Sequence, residues 1–130
     1  LETGDFRHLA IANPRIAPYG RAAREVLMAA GLWEALQPRL VRGESIAQTF
    51  QFVGSGNAEL GFVARAQVQG PGKAMDGSWW AVPQSLYAPI VQQAVLLADD
   101  ATARAFVDYL RSAESRQIIR DFGYGSPGDH

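Results

Sequence analysis

The chain predicts an α/β lobe, a mostly parallel sheet flanked by helices. Short apolar segments alternate with amphipathic helical ones in the order strand, helix, strand, helix, strand, and Pro- or Gly-bearing turns punctuate the junctions. With 48% hydrophobic residues, 130 residues suffice for one compact domain and are short for two.

The first strand is the run His8-Leu9-Ala10-Ile11-Ala12, which leads through Asn13-Pro14-Arg15-Ile16-Ala17 into a helix opened by Pro18. Proline loses nothing at a first helical position, because its missing N–H would have no intrahelical partner there. Ala23, Val26, Leu27 and Ala30 follow at helical spacing, Gly31-Leu32-Trp33 ends the helix, and Trp33-Glu34-Ala35-Leu36 forms one further turn before Pro38. Arg39-Leu40-Val41 is the second strand. In Gly43-Glu44-Ser45-Ile46-Ala47-Gln48 the Ser45 hydroxyl can cap a helix, and Gln48, three residues on, can close a capping box. Ile46, Phe50 and Val53 mark the buried face of that helix, and Gly54-Ser55-Gly56-Asn57 stops it. Glu59-Leu60-Gly61-Phe62-Val63-Ala64 is expected to be the third strand.

Beyond it, residues 70–78 are rich in turn formers and read as an exposed connection. The apolar run from Ala88 to Ala98 reads as a connection that becomes a strand. Asp99 or Asp100 then caps a helix with the stripe Ala103, Phe106, Val107 and Leu110, and a last helix carries Ile118, Ile119 and Phe122 before Gly123. Residues 125–130 read as a loose tail.

Twelve Lys and Arg against 13 Asp and Glu give a net charge of -1, and no basic stripe interleaves with aromatics. Nucleic acid and membrane surfaces are therefore poor partners, and a small ligand is expected. Cysteine is absent, which excludes disulfides, thiolate catalysis and cysteine-based metal sites. The first residue is Leu1, not Met, so a processed or truncated product is expected. The two histidines, His8 and His130, have no partner at metal or triad spacing. No nucleophile and base stand at recognisable spacing, so an enzyme is not expected. Gly54-Ser55-Gly56 lacks the Lys and following Ser or Thr of a phosphate loop. Trp79-Trp80 is expected to anchor a loop onto the core rather than to form a ligand platform.

Two helix starts remain, one near Tyr19 and one near Ile46. In a parallel sheet, ligands gather where strands hand over to helix N-termini, so both are placed to face one cleft. The helix dipole and the first-turn N–H groups favour an anion there. Ser45 caps the second helix while the N–H of Ile46 behind it can meet an anion. Tyr19 adds a phenolic donor that stays neutral.

Four segments then carry a resemblance: Asn13-Pro14 through Gly20 after a strand, Gly43-Glu44-Ser45-Ile46-Ala47-Gln48, Glu59-Leu60-Gly61-Phe62-Val63-Ala64, and Pro89-Ile90-Val91-Gln92-Gln93-Ala94. In that order, and across roughly residues 6 to 124, the chain resembles the carboxy-terminal part of the molybdate-binding receptors of ABC-type importers. The resemblance implies a type II periplasmic-binding-protein lobe, a periplasmic location, and molybdate or tungstate held between two lobes by neutral donors. It implies no cofactor and no direct coordination of the metal by a side chain. Carried over by position, the N–H groups of Tyr19 and Ile46 match the second-lobe donors, with Ser45 beside them. Many members place a Tyr hydroxyl where this chain has Ala64. A subset instead carries a Tyr at the first helix start, as Tyr19 does here.

The resemblance further implies that residues 1–98 are the second lobe without its first strand. Residues 99–124 would be helices that return to pack on a first lobe absent from this chain, and 125–130 a flexible tail. An apolar face left by that absence would pair with a second copy of the chain or repack locally. The partners implied are the oxyanion, the membrane permease of the importer and the missing lobe. The alternative function is a ligand-sensing module of a transcription regulator, since the same architecture is reused there.

Overall fold

The computed structural model describes residues 4–70, 72 and 77–125. Most of the turn-rich connection at 70–78 and the tail from Ser126 to His130 lie outside the described residues, as do Leu1 to Thr3. The chain forms two compact units, Leu1–Ala64 with Trp80–Ile90, and Arg65–Trp79 with Val91–His130.

The first unit holds the sheet. Its strands are β1 (Leu9–Ala12), β2 (Leu40–Gly43) and β3 (Leu60–Gly61), in the order β2-β1-β3 and all parallel. β1 pairs Leu9 with Leu40 and Leu60, and Ala12 with Gly43, so β1 and β2 end side by side. As the central strand β1 is buried along its whole length, which is why it reads as a continuous apolar run instead of an alternating one. Leu9 and Ile11 point into a cluster with Phe6, Ala23, Leu27 and Leu36. Side chains alternate along a strand, so the small Ala10 and Ala12 face the opposite side, where helix α3 (Ile46–Gly54) packs on the sheet. Burying Leu9, Ile11 and Leu27 fully contributes about 1.5–3 kcal/mol each.

Helix α1 (Pro18–Ala29) supplies Ala23 and Leu27 to the cluster and ends where Gly31 adopts φ +70. There the Leu32 N–H donates to the Leu27 carbonyl at 2.8 Å and the Gly31 N–H to Met28 at 3.0 Å, a Schellman stop. The expected extra turn is helix α2 (Trp33–Leu36), followed by a 3-10 turn over Gln37–Arg39. Arg39 lies over the Phe6 ring at 5.1 Å and donates to the Phe6 carbonyl at 3.1 Å, closing the bottom of the cluster.

Two expectations need correction. The third strand is shorter than Glu59 to Ala64: the ladder ends after the Phe62 N–H reaches the Ala10 carbonyl at 2.9 Å, and the chain turns into helix α4 (Arg65–Val68). The run from Ala88 to Ala98 becomes no strand. It finds no ladder partner among the described residues, and Leu97 stands 92% exposed. Trp79 and Trp80 are not packed on a core either, Trp80 being 71% exposed.

In the second unit, helix α5 (Ala101–Leu110) is capped by Asp100, whose Oδ1 accepts from the Ala103 N–H at 2.8 Å. Asp99 pairs instead with Arg104 through two contacts of 2.5 and 2.6 Å. Helix α6 (Ala113–Asp121) begins at Ser112, whose hydroxyl accepts from Ser115, and stops at Gly123 with φ +83. Ala103, Phe106, Val107 and Leu110 line a groove of about 320 Å³ against residues 94–98, and Phe106 is 60% exposed. No helix among the described residues is long and apolar enough to cross a membrane.

Candidate functional site

The C-terminal ends of β1 and β2 each release the chain into a helix start, and one residue joins the two junctions. The Asn13 N–H donates to the Gly43 carbonyl at 2.7 Å, and its side-chain amide donates to Glu44 Oε1 at 3.4 Å. On its own loop the Asn13 carbonyl accepts from Ile16 at 3.2 Å and Ala17 at 2.9 Å, while its Oδ1 accepts from the Arg15 N–H at 3.1 Å. Asn13 thus shapes the turn into α1 and fixes it to the turn into α3, as Asn side chains commonly do in tight turns. No side chain caps α1, whose N-cap is Ala17 and whose first residue is Pro18.

The second junction is capped. Ser45 Oγ accepts from the Gln48 N–H at 3.2 Å, as the sequence predicts. Gln48 Oε1 completes the reciprocal half one residue early, accepting from the Glu44 N–H at 2.7 Å. Accepting this bond leaves the Ser45 hydroxyl its own O–H to donate, so capping and ligand contact are compatible. Thr49, fully buried, donates through Oγ1 to the Ser45 carbonyl at 2.9 Å and holds the first turn of α3 down.

Two glycines permit this close approach. A Cβ on Gly20 would lie 2.1 Å from the Ala12 carbonyl oxygen, and one on Gly43 would lie 2.7 Å from Thr49 Oγ1. Each helix start therefore rests directly on the strand end before it. The sequence marks Gly20 only as a residue of the first helix start, and the close approach at Gly20 and Gly43 and the burial of Thr49 are not legible in it. The legible signal was a small residue at each strand-to-helix junction.

The predicted site residues fall on these junctions. Tyr19 is the second residue of α1 and half-buried, Ser45 is the exposed N-cap of α3, and Ile46 is its half-buried first residue. The structure places the two helix starts on adjacent ends of neighbouring parallel strands. Ala64 is buried and brings only a methyl group. Asp99 and Asp100 are taken up in capping and pairing, and His8 is exposed with its N–H given to Glu59 at 2.9 Å. His130 lies outside the described residues. No group of three or more His, Cys, Asp or Glu able to hold a metal ion occurs among the described residues. The arrangement offers backbone N–H groups, two helix dipoles and neutral hydroxyls, which suits an oxyanion.

The sequence profile of the bacterial extracellular solute-binding proteins matches residues 1–125. The molybdate-binding protein ModA of Azotobacter vinelandii is 52% identical over 96% of this chain and 51% of its own length. ModA of Rhodobacter capsulatus is 51% identical over 92% of this chain and 48% of its own length. The solved structure of the Azotobacter vinelandii periplasmic molybdate-binding protein superposes with a TM-score of 0.87 at 40% identity, covering 97% of this chain and 57% of that one. The chain spans about half the length of the curated relatives it matches. These relatives are binding proteins and not enzymes, and they do not favour the regulator alternative. By the profile match along its length and by its likeness to these receptors, the chain belongs to the family of bacterial extracellular solute-binding proteins.

Proposed function

We propose that this chain supplies the second-lobe half of a periplasmic oxyanion cleft, in the receptor of an ABC-type molybdate importer. The observation that carries the reading is the pair of helix starts joined through Asn13, in a chain 52% identical to a molybdate-binding protein. The backbone N–H groups of Tyr19 and Ile46, the Tyr19 phenol and the Ser45 hydroxyl hold one side of a tetrahedral dianion, molybdate or tungstate. A dianion needs no cationic residue when several charge-assisted N–H and O–H bonds converge on it. The other side of such a cleft comes from the part of the relatives' length that residues 1–130 do not span, and the permease receives the closed receptor. The apolar face of α5 and α6, with Phe106 60% and Ile118 46% exposed, packs on that part in the whole protein. In the isolated chain it pairs two copies, which light scattering at high concentration checks; a monomeric mass there refutes the pairing.

Calorimetric titration of this chain and of a full-length protein with molybdate, tungstate and sulfate tests the reading. The full-length protein binds molybdate or tungstate ahead of sulfate, and the 130-residue chain binds far more weakly. Tyr19→Phe in the full-length protein removes one hydroxyl bond to the dianion, worth about 1.5–3 kcal/mol, so affinity falls about 10- to 150-fold. Tight binding by the 130-residue chain overturns the half-cleft, tighter sulfate binding overturns the cargo, and an unchanged Tyr19→Phe affinity removes the phenol from the site.

A further inference from the structure

A second concave feature of the sheet-bearing unit shares only Asn13 with the residues of that reading. A cleft of about 390 Å³ is lined by Asn13, Pro14, Arg15, Arg24, Trp33 and Arg42. Three of the chain's 12 basic residues thus meet at one place in a protein of net charge -1. None of the three pairs with a carboxylate among the described residues, where the ion pairs are Arg7 with Glu59 and Arg104 with Asp99. Glu44 Oε1 accepts from the Asn13 side-chain amide at 3.4 Å. Arg24 lies over the Trp33 ring at 5.5 Å, and Arg42 is steadied by Gln37 Oε1 at 2.7 Å. Both guanidinium groups are therefore oriented while keeping N–H groups to spare.

We propose that this cleft receives an acidic segment of a partner protein, whose carboxylates engage Arg15, Arg24 and Arg42 while its methylene groups rest on Trp33 and Pro14. All three arginines are exposed, so a lone small anion would keep most of its water and gain little from any one of them. Several carboxylates on one chain engage the arginines together, and the second and third contacts form at high effective concentration. Arg and Trp are the residues that most often anchor protein interfaces, and Arg binds carboxylates in a planar two-point fashion. The chain's overall negative charge argues against a nucleic acid as the polyanion.

The test uses the acetylated, amidated tetraglutamate peptide as probe, titrated into the isotope-labelled chain and followed at the Trp33 indole N–H signal. The peptide shifts this signal saturably, and affinity falls at least about tenfold between 20 and 200 mM salt, as interactions between exposed charges are screened. Arg24→Gln and Arg42→Gln each weaken binding about threefold, and the variant with Arg15, Arg24 and Arg42 all changed to Gln loses it. The corresponding triple Lys variant keeps the charge but loses the planar fork, and binds between the two. Circular dichroism shows that each variant retains its helices. The proposal is overturned if tetraglutamate leaves the signal unmoved, if the triple Gln variant binds it as well as the parent, if inorganic phosphate binds as tightly, or if a single-stranded oligonucleotide binds more tightly than the peptide.

Discussion

Gly20→Ala isolates the close approach of α1 to the end of β1, on which the proposed oxyanion site depends. A Cβ at this position would sit 2.1 Å from the Ala12 carbonyl oxygen, 2.6 Å from the Ala12 carbonyl carbon and 2.7 Å from that of Asn13. Ordinary contact begins at 3.4 Å, so the start of α1 must lift from the end of β1 by up to 3.4 - 2.1 = 1.3 Å. All three atoms are backbone in the central strand and its turn, so no side-chain rotation relieves the overlap. Overpacking of this kind costs about 3 kcal/mol, and replacing a helical glycine by alanine returns about 1 kcal/mol. The net loss is about 2 kcal/mol, or a fall in Tm of about 8 °C at about 4 °C per kcal/mol. Gly54→Ala is the internal control: it lies at the end of α3 with nothing within 4 Å of an added Cβ. It should raise stability by about 0.5 kcal/mol through helix propensity and lost unfolded-state freedom. Thermal unfolding followed by circular dichroism measures both variants. A Gly20→Ala protein melting within about 2 °C of the parent would refute the steric argument.

Glu59 gives a pH signature. Its carboxylate accepts from the His8 N–H at 2.9 Å, from the Arg7 N–H at 3.3 Å and from Arg7 Nε at 3.1 Å. These bonds, the His8 N–H foremost and then its own N–H, lower its pKa from 4.5 to about 2. A depressed folded-state pKa means stability present above pH 4.5 and lost as the pH falls from there through about 2. Urea unfolding between pH 6 and 2 should show that loss in the parent and a smaller one in Glu59→Gln; equal pH slopes would exclude the mechanism. Thr49→Val replaces a fully buried hydroxyl with a methyl of similar size and removes its 2.9 Å bond to the Ser45 carbonyl, which keeps a 3.0 Å bond from the Thr49 N–H. Stability should fall by about 1 kcal/mol in urea unfolding. An unchanged midpoint would mean that the hydroxyl does not hold the α3 turn.

Local chemistry made much of the first unit legible. Pro18, the Ser45 cap and the glycines after α1 and α3 act within a few residues of themselves, so their effects survive without knowledge of the fold. The parallel arrangement followed from alternation, because parallel neighbours need a crossover helix between them. What sequence did not reveal is what two distant segments do to each other. Asn13 reads as one more turn residue until Gly43 is seen beside it, and Gly20 as an ordinary small residue until the Ala12 carbonyl is seen 2.1 Å from its missing Cβ. Arg15, Arg24 and Arg42 are scattered over a turn, a helix face and an edge strand, and only the fold gathers them around Trp33.

The run from Ala88 to Ala98 carries the same lesson in the opposite direction. Its Val91, Val95 and Leu97 have the composition of a strand, and they stand 68%, 78% and 92% exposed with no ladder partner among the described residues. Strand propensity expresses a fit to a pleated, half-buried surface, and an apolar segment becomes a strand only where an edge is offered to it. The available edges are β2, followed by the capped α3 turn, and β3, whose ladder stops after two residues. With so short an edge there is little to template an added strand, and part of the run, residues 94–98, lies against the α5 stripe instead. Val95 and Leu97 nevertheless stay 78% and 92% exposed there, so apolar composition alone brings this run neither a ladder nor burial: a strand needs a paired edge, and burial needs a surface that closes over the side chain.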